Sequence, residues 1–195
     1  MITDVLPLFA NNLVCCNMSL DTQALIKLLE RDVQPDKYRE FLLTESNLHE
    51  KEEYKFITKP ILDQVKEVFD QVFEYKDCEP YFTQMWGVCC EYGQKVNAHT
   101  HPNSFMSGTF YPEATDAPIR FLVNPPTIVP SVKFENICNS TRHVINPFAN
   151  SLLLFPSTLV HEVVENRNDK PRYSLSFNIF VRGQIGDEPL CTLHI

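Results

Sequence analysis

The chain has 195 residues, of which 44% are hydrophobic and 22% charged, and a formal charge of −8 from 25 acidic and 17 basic side chains. This composition is typical of one globular domain and excludes a disordered chain, and no apolar run approaches the ~20 residues of a membrane helix. An acidic surface repels phosphate backbones, so we expect neither a nucleic-acid nor a membrane partner.

The helical patterns lie in the N-terminal part of the chain. Asp21 can cap a helix whose apolar face contains Ala24, Leu25, Leu28 and Leu29. A second helix is expected to begin near Thr58 and Pro60, with Leu62, Val65, Phe69, Val72 and Phe73 at helical spacing. Residues 36–50 are predicted to form a third, weaker helix.

From about residue 80, short segments rich in β-branched and aromatic residues alternate with Pro, Asn and Asp. The predicted strands lie within residues 82–92, 104–112, 118–123, 129–136, 151–155, 158–165 and 172–183. This spacing indicates a sandwich or barrel and not parallel βαβ units. We therefore expect a mainly β fold with N-terminal helices. It should form a single domain over 1–195, with a helical support layer over 1–78 and a double-sheet core over 79–195.

Three of the histidines are spaced as metal ligands. His99 and His101 are two residues apart, so in an extended chain both imidazoles point to the same side. His161 lies among valines in another predicted strand, where an imidazole needs a partner or a ligand, and Glu162 should face the opposite side. Three nitrogens from two strands leave further coordination positions open, which suits a non-haem iron that also holds a co-substrate and dioxygen. His49, in a charged stretch, is expected at the surface.

The strand over residues 172–183 has two different faces. Alternation places Arg172, Ser174, Ser176 and Asn178 on one face, opposite an apolar face. The ordinary interpretation is a half-buried strand with a solvated polar side. An arginine followed two residues later by a serine can, however, also bind a carboxylate through a bidentate guanidinium and a hydroxyl. Next to a metal-binding His161, this pair would suit a dicarboxylate that reaches from Arg172 to iron.

The bulky aromatic side chains of the β region are assigned to packing. Phe105, Phe155, Phe177 and Trp86 are expected to lie in the core. The seven cysteines contain no C-x-x-C spacing and are odd in number, which favours buried, reduced thiols over a zinc or disulfide framework. The first residues also lack the basic region and cleavage site of a secretory signal, so we expect a cytoplasmic protein.

The pattern NAHTHPNSFMSGTFY followed by LLLFPSTLVHEVVENRNDKPRYSLSFNIFVRG resembles the iron(II)- and 2-oxoglutarate-dependent oxygenases. The resemblance covers roughly residues 80 to 183 and is nearest to a subgroup common in marine bacteria and their phages. It implies a double-stranded β-helix, or jelly roll, and the host cytoplasm as location if the chain is phage-encoded. It also implies Fe(II) and 2-oxoglutarate as cofactors for a dioxygenase that hydroxylates a small-molecule or peptide substrate and releases succinate and CO2.

The resemblance also assigns site residues. The first metal ligand of the family corresponds to His99 and its distal histidine to His161. The arginine that pairs with the far carboxylate of 2-oxoglutarate corresponds to Arg172, with Ser174 as its R-x-S partner. Tyr111 matches a position where related prolyl-hydroxylase-like enzymes place a tyrosine against the same carboxylate.

One position departs from the family. Most members have H-x-D or H-x-E, and here the carboxylate position is occupied by His101. Without the anionic ligand the site should bind iron(II) less tightly and favour an anionic co-ligand more. Glu113 and Asp116 lie beyond the next strand in a predicted turn, so neither is expected to replace the carboxylate.

Two other functions are compatible with the same residues. One is a three-histidine cupin-type dioxygenase that needs no 2-oxoglutarate, which would leave Arg172 and Ser174 without a role. The other is a metal-free jelly-roll module that binds a sugar or packs in an assembly, for which the converging histidines and arginine would be coincidental. The sequence specifies neither the substrate nor the oligomeric state.

Overall fold

The computed structural model describes residues 11–123, 130–136, 138–186 and 191–195. The helices in these ranges are α1 (Thr22–Asp32) and α2 (Lys55–Gln71). The strands are β1 (Val14–Asn17), β2 (Gln34–Pro35), β3 (Leu42–Leu43), β4 (Cys78–Cys90), β5 (Val96–His99), β6 (Met106–Tyr111), β7 (Ile119–Leu122), β8 (Arg142–Ile145), β9 (Ser151–Pro156), β10 (Val160–Val163), β11 (Arg172–Ile185) and β12 (Leu193–His194). None of the described helices is long and apolar enough to cross a membrane.

The strands form two antiparallel sheets that face each other. The larger sheet has the order β1-β9-β6-β11-β4-β3-β2, with β12 beside β11, and the smaller sheet has the order β5-β10-β7-β8. Phe155 of the larger sheet contacts Phe121 and His161 of the smaller one, with ring centroids 5.1 and 4.7 Å apart. This arrangement is the predicted double-sheet core with helices outside it.

The larger sheet has an apolar outer face and a polar inner face. On β11, Leu175, Phe177, Ile179 and Val181 are buried in the main hydrophobic cluster together with residues of both helices. The alternate side chains Arg172, Ser174, Ser176 and Asn178 point to the opposite side, where they line a cavity between the sheets. The predicted alternation is correct, and its polar face is enclosed by the second sheet.

The two predicted helices exist, with one boundary shifted. The Asp21 carboxylate accepts a hydrogen bond from the Ala24 amide at 3.0 Å and caps α1, as predicted. The second helix begins at Lys55, three residues before Thr58, and contains Pro60 in its interior. Proline removes one helical hydrogen bond. We attribute the persistence of the helix to its long buried stripe, which contains Ile57, Thr58, Ile61, Val65, Val68 and Phe69.

The predicted helix over residues 36–50 is wrong. This segment contains the short strand β3 and a single 3-10 turn over Leu48–Glu50. Leu42 and Leu43 pair with Cys89 and Val88 at the side of β4, so hydrogen bonding to the sheet outweighs the weak local helical pattern. The division of the chain at residues 78 and 79 stays a prediction, and β1, β2 and β3 lie on its N-terminal side.

The predicted strand over residues 129–136 is also wrong where the structure describes it. Residue 129 lies outside the described residues, and residues 130–136 form no strand. Val132 is 47% and Phe134 84% exposed, so neither side chain packs against a sheet of the described residues. Among the aromatic side chains assigned to the core, Phe177 is fully buried, whereas Phe105 is 42% exposed. All seven cysteines are free, but only Cys89 and Cys90 are buried.

Gly108 allows β6 to pass closely beneath the core. A Cβ atom at this position would lie 2.4 Å from Phe177 Cζ and 2.8 Å from the Leu153 carbonyl oxygen. We expect Gly108→Ala to lower the free energy of unfolding by about 1–3 kcal/mol, because the backbone contact cannot relax. Chemical denaturation would measure the change. Gly93→Asn is the control, since Gly93 has a φ of +81°, a Cβ there would have no atom within 4 Å, and asparagine tolerates that conformation. An equal loss in both variants would contradict the packing explanation.

Candidate metal centre and co-substrate cavity

A cavity of about 790 Å³ lies between the two sheets and contains all six predicted site residues. Its floor is the inner face of the larger sheet, where paired residues form rows across the strands. One row contains Phe155, Ser107, Asn178 and Gln84, and the next contains Leu153, Thr109, Ser176 and Trp86. Further along β11 lie Ser174, paired with Val88, and then Arg172, paired with Cys90. Successive rows are about 6.6 Å apart, so the cavity has two distinct ends.

The three predicted histidines converge at the end near Phe155. One ring nitrogen from each of His99, His101 and His161 lies within 4.8 Å of the others. The ring of His161 is 4.4 Å from that of His99 and 5.0 Å from that of His101. No carboxylate joins this group among the described residues, and Glu162 points away to form an ion pair with Arg120 at 2.7 Å.

Strand pairing explains how these side chains meet. His99 and His161 are directly opposite each other in the register of β5 and β10. The register shifts between this pair and the next one, Val96 with Val163, because β5 has two residues between the pairs and β10 has one. Such bulges redirect a side chain and are common beside active sites. His101 follows the end of β5, and its amide donates to the Ser157 carbonyl at 2.9 Å, which fixes the third ligand against the larger sheet.

Hydrogen bonds leave the metal-facing nitrogens free. His99 Nδ1 donates to the Asn97 carbonyl at 2.8 Å, and His161 Nδ1 donates to the Leu159 carbonyl at 2.9 Å. A carbonyl can only accept, so both neutral rings carry their proton on Nδ1 and keep a lone pair on Nε2. His101 Nε2 lies 3.2 Å from His161 Nε2, which places the third donor atom at the same point.

The environment keeps the two inner imidazoles neutral. Burial lowers the pKa of His101 to about 3, with further lowering by His161 and His99. Burial likewise lowers the pKa of His161 to about 4. A neutral imidazole is the form that binds a metal, so both rings can ligate at neutral pH without losing a proton first.

Arg172 and Tyr111 form the other end of the cavity. The Arg172 guanidinium carbon lies 5.0 Å from the Tyr111 ring centroid, and both residues are buried. Arg172 Nε and Nη1 and the Tyr111 hydroxyl make no well-formed hydrogen bond among the described residues, and their nearest polar neighbours are each other, Thr109 and Cys90. Burial raises the pKa of the Tyr111 hydroxyl, which keeps it a donor. Buried donors of this kind call for an anionic ligand, and Ser174, also buried, lies on the same face of β11.

The remaining candidates lie away from this cavity. His143 and His194 are exposed in β8 and β12. His49 is not a surface residue as expected, because its side chain is only 16% exposed and its ring lies 6.1 Å from that of Phe82. Glu113 and Asp116 are exposed and do not replace the missing carboxylate, as expected.

The sequence interpretation missed several cavity residues. Trp86 packs against the apolar cluster of Val88 and Cys90, as expected, but it also lines the cavity, with its ring 5.7 Å from that of His101. Phe155 is buried as expected, yet it also packs against His161. Gln84 and Asn178 lie at the level of the metal centre. The alternation along β4 places Trp86 and Gln84 on the same face as Val88. This pattern alone does not show whether that face lines a cavity or packs in the core.

The donor set fits the cofactors that the resemblance implies. Three imidazoles on one side leave the other positions of an iron(II) ion open. The guanidinium and the phenol, whose residues lie three and two rows away, match the far carboxylate of a bound dicarboxylate. The cavity therefore has a metal-binding end and an anion-binding end joined by hydroxyl-bearing side chains.

The lowered histidine pKa values predict how the stability of the metal-free protein depends on pH. Below about pH 6.5 the unfolded chain takes up protons on His101 and His161, whereas the folded chain does not. The free energy of unfolding should therefore fall as the pH drops from about 6.5 to about 4, by up to about 1.4 kcal/mol per pH unit for each histidine. Denaturation curves between pH 7 and 5 would measure this slope. It should be shallower in His101→Ala, and an unchanged slope would contradict the assignment.

Comparisons with known proteins agree with this geometry. Residues 84–178 match a family model described as "Putative 2OG-Fe(II) oxygenase". No curated protein matches the chain.

Several solved structures share the fold. A prolyl-4-hydroxylase from Pseudomonas putida has a TM-score of 0.58 at 14% identity, with 86% of this chain and 92% of that chain covered. HygX from Streptomyces hygroscopicus, with nickel, 2-oxoglutarate and hygromycin B bound, has a TM-score of 0.57 at 11% identity, with 87% and 82% covered. The epimerase SnoN, in complex with Fe3+, alpha ketoglutarate and nogalamycin RO, has a TM-score of 0.60 at 10% identity, with 89% and 81% covered.

These similarities confirm the predicted jelly-roll fold, and the family match confirms the predicted enzyme class and its cofactors. The matched region contains all three histidines, Tyr111, Arg172 and Ser174. Residues 84–178 therefore match the family of the iron(II)- and 2-oxoglutarate-dependent oxygenases.

Proposed function

We propose that His99, His101 and His161 hold the iron(II) ion, and that Arg172, Ser174 and Tyr111 bind the far carboxylate of 2-oxoglutarate. The observation that carries this assignment is the unpartnered state of the Arg172 and Tyr111 donors, buried in the same cavity as the converging imidazoles. Leaving such groups unpaired costs about 1–3 kcal/mol each, and a carboxylate would satisfy all of them together.

The chain supplies binding and orientation, and the cofactors supply the oxidation. With iron and 2-oxoglutarate bound, one molecule of dioxygen converts 2-oxoglutarate to succinate and CO2 and hydroxylates a substrate C–H bond. Arg172 and Tyr111 hold the co-substrate at a fixed distance from the histidines. Phe155 and Phe121 lie beside the His161 ring, with ring centroids 4.7 and 6.0 Å from it, and also pack against each other. Together they exclude water from that side of His161.

The third imidazole changes the charge of the centre. Where a carboxylate would contribute one negative charge, His101 is neutral at physiological pH because its pKa is about 3. The iron then depends more on the dianionic co-substrate for charge compensation. We therefore expect 2-oxoglutarate and metal to bind with strong mutual enhancement in this protein.

The alternatives are less consistent with the cavity. A three-histidine cupin-type dioxygenase without 2-oxoglutarate would leave the Arg172 and Tyr111 donors unpaired. A metal-free binding module would give no role to the three imidazole nitrogens that converge within 4.8 Å of one another. The second alternative would nevertheless be favoured if the protein bound no metal.

We further propose a small-molecule or peptide substrate, with no nucleic-acid partner, and a cytoplasmic location, in the host cytoplasm if the chain is phage-encoded. The net charge of −8 supports the exclusion of nucleic acid. Seven free cysteines are the state expected in a reducing compartment.

Replacing Arg172 tests the anion-binding end of the cavity. Arg172→Ala should weaken 2-oxoglutarate binding by at least about 100-fold, because a charge-assisted, bidentate contact is lost, while leaving metal binding largely intact. Anaerobic titration of the Fe(II)-loaded protein, followed by the visible charge-transfer band of the chelate, would measure it. Arg120→Ala is the matched control, since Arg120 pairs with Glu162 instead of the co-substrate. Equal weakening in both variants would contradict the assignment.

Trp86 reports directly on the metal end, because it is the only tryptophan in the chain and lies 5.7 Å from the His101 ring. Co(II) binding should quench its fluorescence. His101→Ala should reduce Co(II) affinity at least about tenfold, since one of three ligands is removed. His143→Ala, a substitution of an exposed histidine in β8, is the control. Unchanged Co(II) affinity in His101→Ala would show that His101 is not a ligand.

A further inference from the structure

Asn166, in the loop between β10 and β11, uses its side chain to join the two segments next to Arg172. Its Nδ2 donates to the Cys90 carbonyl at 2.9 Å and to the Lys170 carbonyl at 3.0 Å, and its Oδ1 accepts from the Asn168 amide at 3.1 Å. Carbonyl oxygens only accept and a main-chain amide only donates, so these three partners allow a single orientation of the side-chain amide. The Asn166 side chain is therefore held at both of its polar ends.

Hydrogen bonds hold this loop in place more than apolar packing does. Among residues 162–171, all of which the structure describes, Asn166 is the only buried one, with 1% exposure. A segment without buried apolar side chains gains little from the hydrophobic effect. The main chain of Asn166 is paired as well, because its amide donates to the Gln94 carbonyl at 2.9 Å and its carbonyl accepts from the Gly93 amide at 2.7 Å. These two bonds attach the loop to the turn after β4 and do not involve the side chain.

Arg172 lies where the pairing of β11 is incomplete. It is the first residue of that strand and pairs with Cys90 of β4, whereas the register of β11 with β6 begins at Leu175. The Asn166 side chain bonds the main chain of the same Cys90, and also that of Lys170, two residues before Arg172. It thus supplies, next to Arg172, connections that the sheet itself supplies further along β11.

The direction of the Arg172 side chain matters for the ligand that we assign to it. A guanidinium is a rigid, planar set of donors, and a bidentate contact with a carboxylate needs two of its N–H directions to be correct. Tyr111 lies against this group, with its ring centroid 5.0 Å from the guanidinium carbon, but the contact does not restrain the Arg172 main chain. Asn166 does not line the cavity, so it can affect a bound ligand only indirectly.

We propose that Asn166 is a positioning residue for the co-substrate, which connects Cys90 to Lys170 and so directs the Arg172 guanidinium towards the far carboxylate of 2-oxoglutarate. This inference rests on the proposed function of the same cavity. The three side-chain bonds of Asn166 all lie at the Arg172 end, and its main-chain bonds to the turn that precedes β5 remain when the side chain is removed. Asn166 should therefore control the affinity for 2-oxoglutarate and not the affinity for the metal.

Asn166→Ala tests this separation in the full-length protein. It should weaken 2-oxoglutarate binding to the Fe(II)-loaded protein about tenfold, because a misdirected guanidinium loses part of its bidentate contact. Anaerobic titration followed by the charge-transfer band measures this affinity. Co(II) affinity, measured without 2-oxoglutarate by quenching of Trp86 fluorescence, should change by less than about twofold, since the histidines keep their own hydrogen bonds.

Asn139→Ala is the matched control for the loss of an asparagine that supports a loop. The Asn139 side chain also bonds the main chain at both polar ends, accepting from the Asn136 amide at 2.8 Å and donating to the Phe134 carbonyl at 3.0 Å. It lies before β8 and outside the cavity lining, so its removal should leave 2-oxoglutarate affinity unchanged.

A double variant tests whether the effect depends on Arg172. In an Arg172→Ala background, Asn166→Ala should lower 2-oxoglutarate affinity by less than about twofold, because the side chain through which it acts is absent. A general loosening of the cavity would instead lower the affinity about tenfold in both backgrounds. If Asn166→Ala does not fold, Asn166→Ser replaces it, with an expected loss of about threefold because the serine hydroxyl can donate to one of the two carbonyls.

Four results would each overturn the proposal: an unchanged 2-oxoglutarate affinity in the Asn166 variant, an equal loss in Asn139→Ala, the full loss in the Arg172→Ala background, or an equal fall in Co(II) affinity. Failure of the wild type to bind 2-oxoglutarate, or unchanged binding in Arg172→Ala alone, is a different result. It would contradict the proposed function of the cavity itself.

Discussion

Strand β5 contributes only four residues to the smaller sheet, and its pairing with β10 holds the metal centre together. Because His99 faces His161 across this pair, the two imidazoles are neighbours by backbone geometry alone. The extra residue of β5 between the two paired positions changes the direction of the His99 side chain. The hydrogen bond from the His101 amide to the Ser157 carbonyl connects the third ligand to the larger sheet. The site therefore depends on both sheets being assembled.

The inner face of the larger sheet combines two demands that usually conflict. Its strands must pack against the helices on one side, which β11 does with fully apolar alternate residues. On the other side they carry serine, threonine, asparagine and arginine into an enclosed space, where every polar group needs a partner. The hydroxyl groups of Ser104, Ser107 and Ser157 find these partners by hydrogen-bonding to one another. Arg172 and Tyr111 lack such internal partners. We therefore distinguish a structural part of the polar face, formed by the serines, from a ligand-binding part, formed by Arg172 and Tyr111.

Local patterns predicted the parts of the molecule whose neighbours are near in sequence or strictly periodic. The Asp21 cap, the alternation of β11 and the H-T-H motif carry their information within a few residues, and all three agree with the structure. Segments 36–50 and 130–136 could not be assigned in this way. Pairing with β4 decides the first, and the second pairs with no strand in the part of the chain that the structure describes. The position of Trp86 beside the cavity was not predicted, because an aromatic side chain facing a cavity and one facing a core follow the same alternation.

The unpartnered donors at the Arg172 end also make the co-substrate part of the folding equilibrium. A ligand that binds only the folded chain stabilises it by about 2.7 kcal/mol at a concentration 100-fold above its Kd. Under the proposed assignment, 2-oxoglutarate is such a ligand, and it removes the penalty of burying a guanidinium and a phenol without partners. The lifetime of this enzyme in a cell would then follow the supply of its co-substrate, since the starved form unfolds more often and is more readily degraded.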